Sequence, residues 1–183
     1  MKIGIYGGSF NPVHFGHVGL AKWIIEHTDL DELWFMVSPL NPLKASNSAN
    51  GLTGEAGLTS NFQERLAAVR EAIKDIPGLV ASDFEFALPR PSYTANTLRA
   101  LQQAYPEHEF TLVIGEDNLA IFDRWREYEF ILQNFRIFVY PRHGEENSEI
   151  RFQNTDSIIF LKDAPYFDIS STELRASTTS HTL

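Results

Sequence analysis

Apolar residues recur along the chain in short blocks at Ile3–Tyr6, Leu33–Val37, Leu79–Ser82, Phe110–Ile114, Ile137–Tyr140 and Ile158–Leu161. Blocks of this length read as buried strands. The stretches between most of them carry apolar positions at helical spacing, which predicts helices over Phe15–His27, Asn61–Ile76, Thr94–Tyr105 and Glu127–Asn134, with a short one from Ser171. Long separations between successive strands make a parallel sheet with right-handed crossovers the economical architecture. The expected fold is therefore α/β, a doubly wound parallel sheet in three α/β/α layers. In such sheets ligands sit beyond the C-terminal strand ends, near the point where the strand order reverses. Most of the unusual polar residues here do follow strand ends, at Gly7–His17, Pro39–Lys44, Gly115–Asn118 and Pro141–His143.

The totals narrow the class. The chain of 183 residues is 43% hydrophobic and 21% charged, which fits one globular domain over residues 1–183, with 177–183 expected as a disordered Ser/Thr-rich tail. There is no membrane-length apolar run and no secretory pattern, so the cytoplasm is the expected compartment. Cysteine is absent, which excludes disulfides and thiol catalysis. The formal charge of −9 argues against nonspecific binding to nucleic acid or to an anionic membrane. A phosphate ligand must then meet a local cationic patch, for which Lys44, Arg142 and Arg175 are the candidates, while most of the remaining charges read as solvated helix faces. The long polar stretch Pro39–Ser60 is either a lid or a solvated connector.

Chemistry concentrates in Gly7-Gly8-Ser9-Phe10-Asn11-Pro12-Val13-His14-Phe15-Gly16-His17, where the first strand gives way to the first helix. Gly7 and Gly8 suit a tight turn and close approach of the backbone to a ligand. His14 and His17 fall at the helix start, where unpaired N–H groups and the dipole attract anions, so the pair reads as a phosphate clamp. One capping and one half-buried histidine is the plainer alternative. Zinc is the other, but there is no Glu between the histidines and no cysteine to complete a tetrahedron, so no metal-ligating set is expected. Lys44, in Asn41-Pro42-Leu43-Lys44, supplies a mobile point charge suited to a polyphosphate. Ile169-Ser170-Ser171-Thr172-Glu173-Leu174-Arg175 offers hydroxyls and N–H groups at a helix start with an arginine one turn on, and Ser170 with Glu173 also has capping-box spacing.

Gly8, Phe10, Pro12, His14, Gly16 and His17, together with Ile169, Ser170, Ser171, Thr172 and Arg175, resemble the paired motifs G-x-F-x-P-x-H-x-G-H and I-S-S-T-x-x-R of the nucleotidyltransferase superfamily. The middle of the chain is similar to bacterial nicotinate mononucleotide adenylyltransferases. Pro91-Ser92-Tyr93-Thr94-Ala95-Asn96-Thr97-Leu98 matches P-S-Y-T-x-x-T-L, Ile114-Gly115-Glu116-Asp117 matches I-G-x-D, and Trp125 matches the tryptophan that follows. Asn11 stands where the pattern commonly has aspartate, Leu43 where a histidine often precedes the lysine, and family members usually continue through another helical segment beyond Arg175.

The resemblance implies a Rossmann-like fold and transfer of AMP from ATP to nicotinate mononucleotide, giving deamido-NAD and pyrophosphate, with Mg²⁺ bound to the ATP. It assigns His14 and His17 to catalysis. Gly7, Gly8, Ser9, Phe10, His17, Lys44, Gly115, Asp117, Ile169, Ser171, Thr172 and Arg175 go to ATP. Lys44, Tyr93, Thr94, Trp125 and Arg142 go to the pyridine nucleotide. Trp125 offers a flat surface for a heteroaromatic ring. Nicotinamide mononucleotide or phosphopantetheine are the alternative acceptors, a noncatalytic nucleotide-binding module is the alternative class, and a homo-oligomer is compatible with all of these.

Overall fold

The computed structural model describes residues 1–39, 55–142, 152 and 155–166, with backbone alone at 55–60. Lys44, His143, the segment Ile169–Arg175, the short helix expected from Ser171 and the tail 177–183 lie outside these residues, as does most of Pro39–Ser60.

Six strands form one sheet: β1 (Lys2–Gly8), β2 (Glu32–Val37), β3 (Leu79–Ser82), β4 (Glu109–Gly115), β5 (Arg136–Tyr140) and β6 (Ile158–Phe160). The order is β3-β2-β1-β4-β5-β6 and every neighbouring pair is parallel. Strand order reverses between β1 and β4, so the crevice of a doubly wound sheet opens beyond the ends of these two strands.

The helices divide between the faces. Leu20, Ala21 and Ile24 of α1 (Phe15–His27), with Phe62, Leu66, Val69 and Ile73 of α2 (Glu55–Ile73), bury against Leu33, Phe35, Val37, Val113 and Phe138. Ala95, Leu98 and Leu101 of α3 (Thr94–Ala104), Leu119 of α4 (Glu116–Ala120) and Ile131 of α5 (Tyr128–Asn134) bury against Ile3, Ile5, Leu112, Ile114, Ile137 and Val139. Alternate residues of the central strands thus feed two cores, which is why these strands are apolar at nearly every position.

Several boundaries differ from the sequence reading. Helix α2 begins at Glu55, inside the stretch read as a lid or connector, and ends at Ile73 rather than Ile76. Pro77 disfavours helical backbone at Ile76, and Gly78 follows at φ 85°, which closes the turn into β3. The short helix α4 follows β4 at residues for which the sequence predicts no helix. Gly7 and Gly8 do not make the turn after β1. They stay extended because they pair with Met36 and Val37, and the left-handed residue is Phe10 at φ 46°.

Among the charges read as solvated faces, two are buried. Arg65 is 7% exposed and Glu85 is 8% exposed. Glu85 lies in a 3-10 turn (Phe84–Ala87) after β3, and its burial pushes the carboxyl from near 4.5 up to about 7. A carboxyl raised in this way favours the folded state fully at low pH, and that advantage is lost as pH rises through the folded value. Glu85→Gln, which cannot ionise, is therefore expected to become progressively more stable than the parent between pH 4.5 and 7, by a final margin on the order of 3 kcal/mol. Denaturant melts at pH 5 and pH 8 check this, and a gap that stays constant would show that ionisation of Glu85 is not penalised.

Candidate active site

The β1–β2 ladder ends where the Ser38 N–H donates to the Gly8 carbonyl at 2.9 Å. Arg65 takes over there. From the buried stripe of α2, its Nη1 donates to the Ser9 and Ser38 carbonyls, both at 2.7 Å, its Nη2 to the Pro39 carbonyl at 3.1 Å, and its Nε to Asn61 Oδ1 at 2.7 Å. One guanidinium therefore fixes the chain just beyond both strands. Its planar fork is what allows several acceptors to be held together.

Past Ser9 the left-handed Phe10 turns its ring into the core, where only 3% of the residue is exposed. That leaves its backbone for any ligand contact. The ring packs edge-on against His17 at 5.1 Å and against Tyr6 at 5.4 Å. A side chain at Gly8 would press on this ring, with its Cβ 3.2 Å from Phe10 Cζ.

Helix α1 opens with an unusual capping box. The Gly16 N–H donates to His14 Nδ1 at 3.0 Å, and the His14 N–H donates to His17 Nδ1 at 3.1 Å. The plainer reading, a capping histidine, is thus realised for both residues and does not compete with the phosphate reading. Because a backbone N–H can only donate, each Nδ1 presents its lone pair, and the neutral ring carries its proton on Nε2. The rings lie 3.8 Å apart. His14 Nε2 is buried with no partner. Burial is the main cause that pushes His17 down to about 3, with His14 and Arg142 adding to it, and burial followed by Arg142 lowers His14. The pair consists of two neutral imidazoles, each with one N–H to donate.

These histidines line an open cleft of about 320 Å³ together with Tyr6, Tyr140, Arg142 and Tyr166. Tyr6 and Tyr140 hydrogen-bond to each other, and burial drives both phenols up, Tyr140 to about 12. Arg142 Nε lies 3.8 Å from Asp117 Oδ1. A side chain at Gly115 would collide with that carboxylate and approach Arg142 Cγ to 2.9 Å, so the glycine is what lets Asp117 and Arg142 meet. The histidines after β1, Asp117 after β4 and Arg142 after β5 come together as the strand-end argument requires.

Tyr93, Thr94 and Trp125 do not line this cleft. Tyr93 is the N-cap residue of α3 and makes no capping bond through its side chain, and the Arg126 guanidinium sits 4.9 Å above its ring. Trp125 is half-buried against Phe122 at 5.2 Å. Since Arg126 follows Trp125 directly, the two aromatics belong to adjoining segments on the α3 side. Ser92 Oγ, beside Tyr93, is a second buried polar atom without a partner. Arg142, expected with the pyridine-binding residues, stands instead with the histidines and Asp117.

Sequence reasoning passed over Arg65, Glu85, Arg126 and Tyr140. For Arg65 a signal existed. It falls on the apolar stripe Phe62–Leu66–Val69–Ile73 and not on the polar side of α2.

The fold and site define a nucleotide-binding α/β protein with a histidine pair at the anion-attracting start of its first helix. The profile of the cytidylyltransferase-like family matches residues 5–177. A relative from Flavobacterium psychrophilum is 45% identical over 175 residues, spanning 96% of this chain and 85% of its own length. One from Bacteroides fragilis is 47% identical over 174 residues, spanning 95% and 80%. Both carry the name "Probable nicotinate-nucleotide adenylyltransferase". The fold is shared with the Plasmodium falciparum nicotinic acid mononucleotide adenylyltransferase complexed with APC, at TM-score 0.70 and 22% identity over 96% of this chain and 82% of that one. The chain belongs to the cytidylyltransferase-like family and, within it, to the nicotinate-nucleotide adenylyltransferases.

Two measurements check the site. In NMR titrations of the ligand-free protein, the His17 ring signals are expected to stay constant from pH 8 to 5, because its ordinary value near 6.5 has fallen to about 3. A midpoint near 6.5 would mean that the ring is solvated and free. Arg65→Leu should lower stability by about 3 kcal/mol, since it removes the shared donor of three carbonyls, and Arg65→Lys should recover only part of this because an ammonium lacks the fork. Chemical denaturation decides it, and full recovery with lysine would reduce Arg65 to a charge.

Proposed function

We propose that this protein transfers AMP from ATP to nicotinate mononucleotide, releasing pyrophosphate and forming deamido-NAD. The observation that carries the reading is the His14–His17 pair, two neutral imidazoles with Nε2–H groups at the start of α1, facing Arg142 across a cleft at the switch point. The names of the relatives supply the acceptor.

An oxygen of the mononucleotide phosphate attacks the α-phosphorus, and the bond from that phosphorus to the bridging oxygen of the β-phosphate breaks in line. The attacking phosphate is already ionised near neutral pH, so no general base is required. Catalysis then consists of holding the reactants and stabilising charge that grows on phosphate oxygens. His14 and His17 donate to those oxygens through Nε2. Neutral donors suit this task, since they do not repel Arg142 before the nucleotide arrives, and a bound anion draws them toward the charged form.

Lys44, Ile169, Ser171, Thr172 and Arg175 are assigned to ATP, with the backbone at Gly7, Gly8, Ser9, Phe10 and Gly115. Asp117 takes a ribose hydroxyl. Tyr93, Thr94 and Trp125 take the pyridine nucleotide, and the unpartnered Ser92 Oγ supports a polar ligand beside them. Among the described residues no cluster of His, Asp and Glu could hold a metal alone. Mg²⁺ is assigned to the ATP phosphates as part of the substrate. No described helix is long and apolar enough to cross a membrane. The cytoplasm is the compartment proposed.

Pyrophosphate release with ATP and, in turn, nicotinate mononucleotide, nicotinamide mononucleotide and phosphopantetheine tests the proposal, with the first expected to be preferred. ATP binding without pyrophosphate from any acceptor would favour a noncatalytic nucleotide-binding module. His17→Ala should lower kcat by about 10²–10³-fold with the fold retained, the scale seen when one transition-state donor is lost. Near-normal turnover removes His17 from the mechanism.

A further inference from the structure

The phosphate chemistry makes no use of Glu85, yet this carboxylate is buried between Phe84 and Phe86, where an apolar residue would pack at less cost. Its partners explain the choice. Thr97 Oγ1 donates to Glu85 Oε1 at 2.9 Å, and the Ser38 side chain hydrogen-bonds to the same carboxyl. Each partner leads to the site. Ser38 closes the β1–β2 ladder through its N–H and offers its carbonyl to Arg65. Thr97 lies one turn into α3, with its N–H on the Tyr93 carbonyl at 3.1 Å and its hydroxyl 3.3 Å from the same oxygen.

The first turn of α3 needs such a hold. Tyr93, its N-cap residue, provides no side-chain cap, so the early N–H groups lack the usual local acceptor and the turn is free to fray. A carboxyl has two oxygens and can engage Thr97 and Ser38 together. No described cation pairs with it, and the nearest guanidinium in this network, that of Arg65, binds the far side of Ser38.

We infer that Glu85 is a positioning residue for the acceptor: by holding Thr97 and Ser38 together it sets the α3 turn bearing Tyr93 and Thr94 against the end of β2. This rests on the assignment of Tyr93 and Thr94 to the pyridine nucleotide. Glu85 itself touches no reacting atom.

Glu85→Leu, Thr97→Val and Glu85→Gln separate positioning from simple packing. The leucine and valine variants are expected to raise KM for nicotinate mononucleotide by about fivefold or more, with KM for ATP and kcat within about twofold of the parent. The glutamine, which keeps an acceptor for Thr97, should restore the parent value. Equal increases in both KM values, or no change in the mononucleotide KM of variants that melt like the parent, would overturn the inference. Amide exchange provides a readout independent of activity and serves also if a variant is too unstable for kinetics. In Glu85→Leu the Thr97 N–H should exchange about tenfold faster than in the parent, while that of Val18 in α1 is unchanged. Faster exchange with no turnover by the parent on any pyridine mononucleotide would retain the hold on the turn and overturn the acceptor assignment. Unchanged exchange at Thr97 overturns the inference whatever the kinetics show.

Discussion

A guanidinium buried under the sheet's C-terminal edge is the constraint on which the rest of this site depends. Taking the Arg65 charge out of water is costly, and burial lowers its affinity for the proton. What makes the placement stable is the supply of acceptors. The carbonyls of Ser9, Ser38 and Pro39 lie just beyond the last ladder bond and have no strand left to pair with. Without the arginine these carbonyls would lose that donor, and the arginine would be a buried unsatisfied cation without them. From that mutual need follows the path of the chain, from Ser9 to the left-handed Phe10, from the Phe10 ring to His17, and from His17 to the N–H of His14.

The two ends of the sheet treat polar groups in opposite ways. At the N-terminal end Asp29 sits between Lys2 Nζ at 2.7 Å and Arg136 Nη2 at 2.8 Å, and their hydrogen bonds hold its carboxyl below the usual range. Both cations of that cluster have Asp29 as an ion-pair partner. At the C-terminal end His14 Nε2 and Ser92 Oγ are buried without partners. A folded protein keeps few such groups, because each lowers stability by an amount comparable to a lost hydrogen bond. Both follow strand ends, where a ligand can complete them, which supports the proposed placement of the site at this edge.

The strand blocks and the His14–His17 segment were legible because their signals are local. Apolar runs of strand length and a histidine pair at a helix start do not depend on distant residues for recognition. Arg65 and Glu85 are different. Both look like ordinary surface charges, and what distinguishes them is the distant loop or helix that each one meets. Position on the α2 stripe could have exposed Arg65, whereas Glu85 between two phenylalanines carries no comparable mark. The turn at Phe10 was misplaced for a related reason. Glycine permits a left-handed backbone but does not require one, and pairing with β2 kept Gly7 and Gly8 extended.

The division of the helices between two faces bears on the reaction itself. An in-line displacement at phosphorus requires the entering and leaving oxygens on opposite sides of the reacting atom. The histidine pair arrives on α1, against one face of the sheet, while Tyr93 and Thr94 arrive on α3, against the other. Between them the chain turns away in opposite directions at the ends of β1 and β4, and this opens a crevice, the place proposed for the two phosphates. A sheet wound in one direction would bring both sets of donors from the same side. Under the proposed assignments, double winding brings the two groups of residues from opposite faces of the sheet, and Arg65 fixes the chain beyond β1 and β2 from which one of them departs.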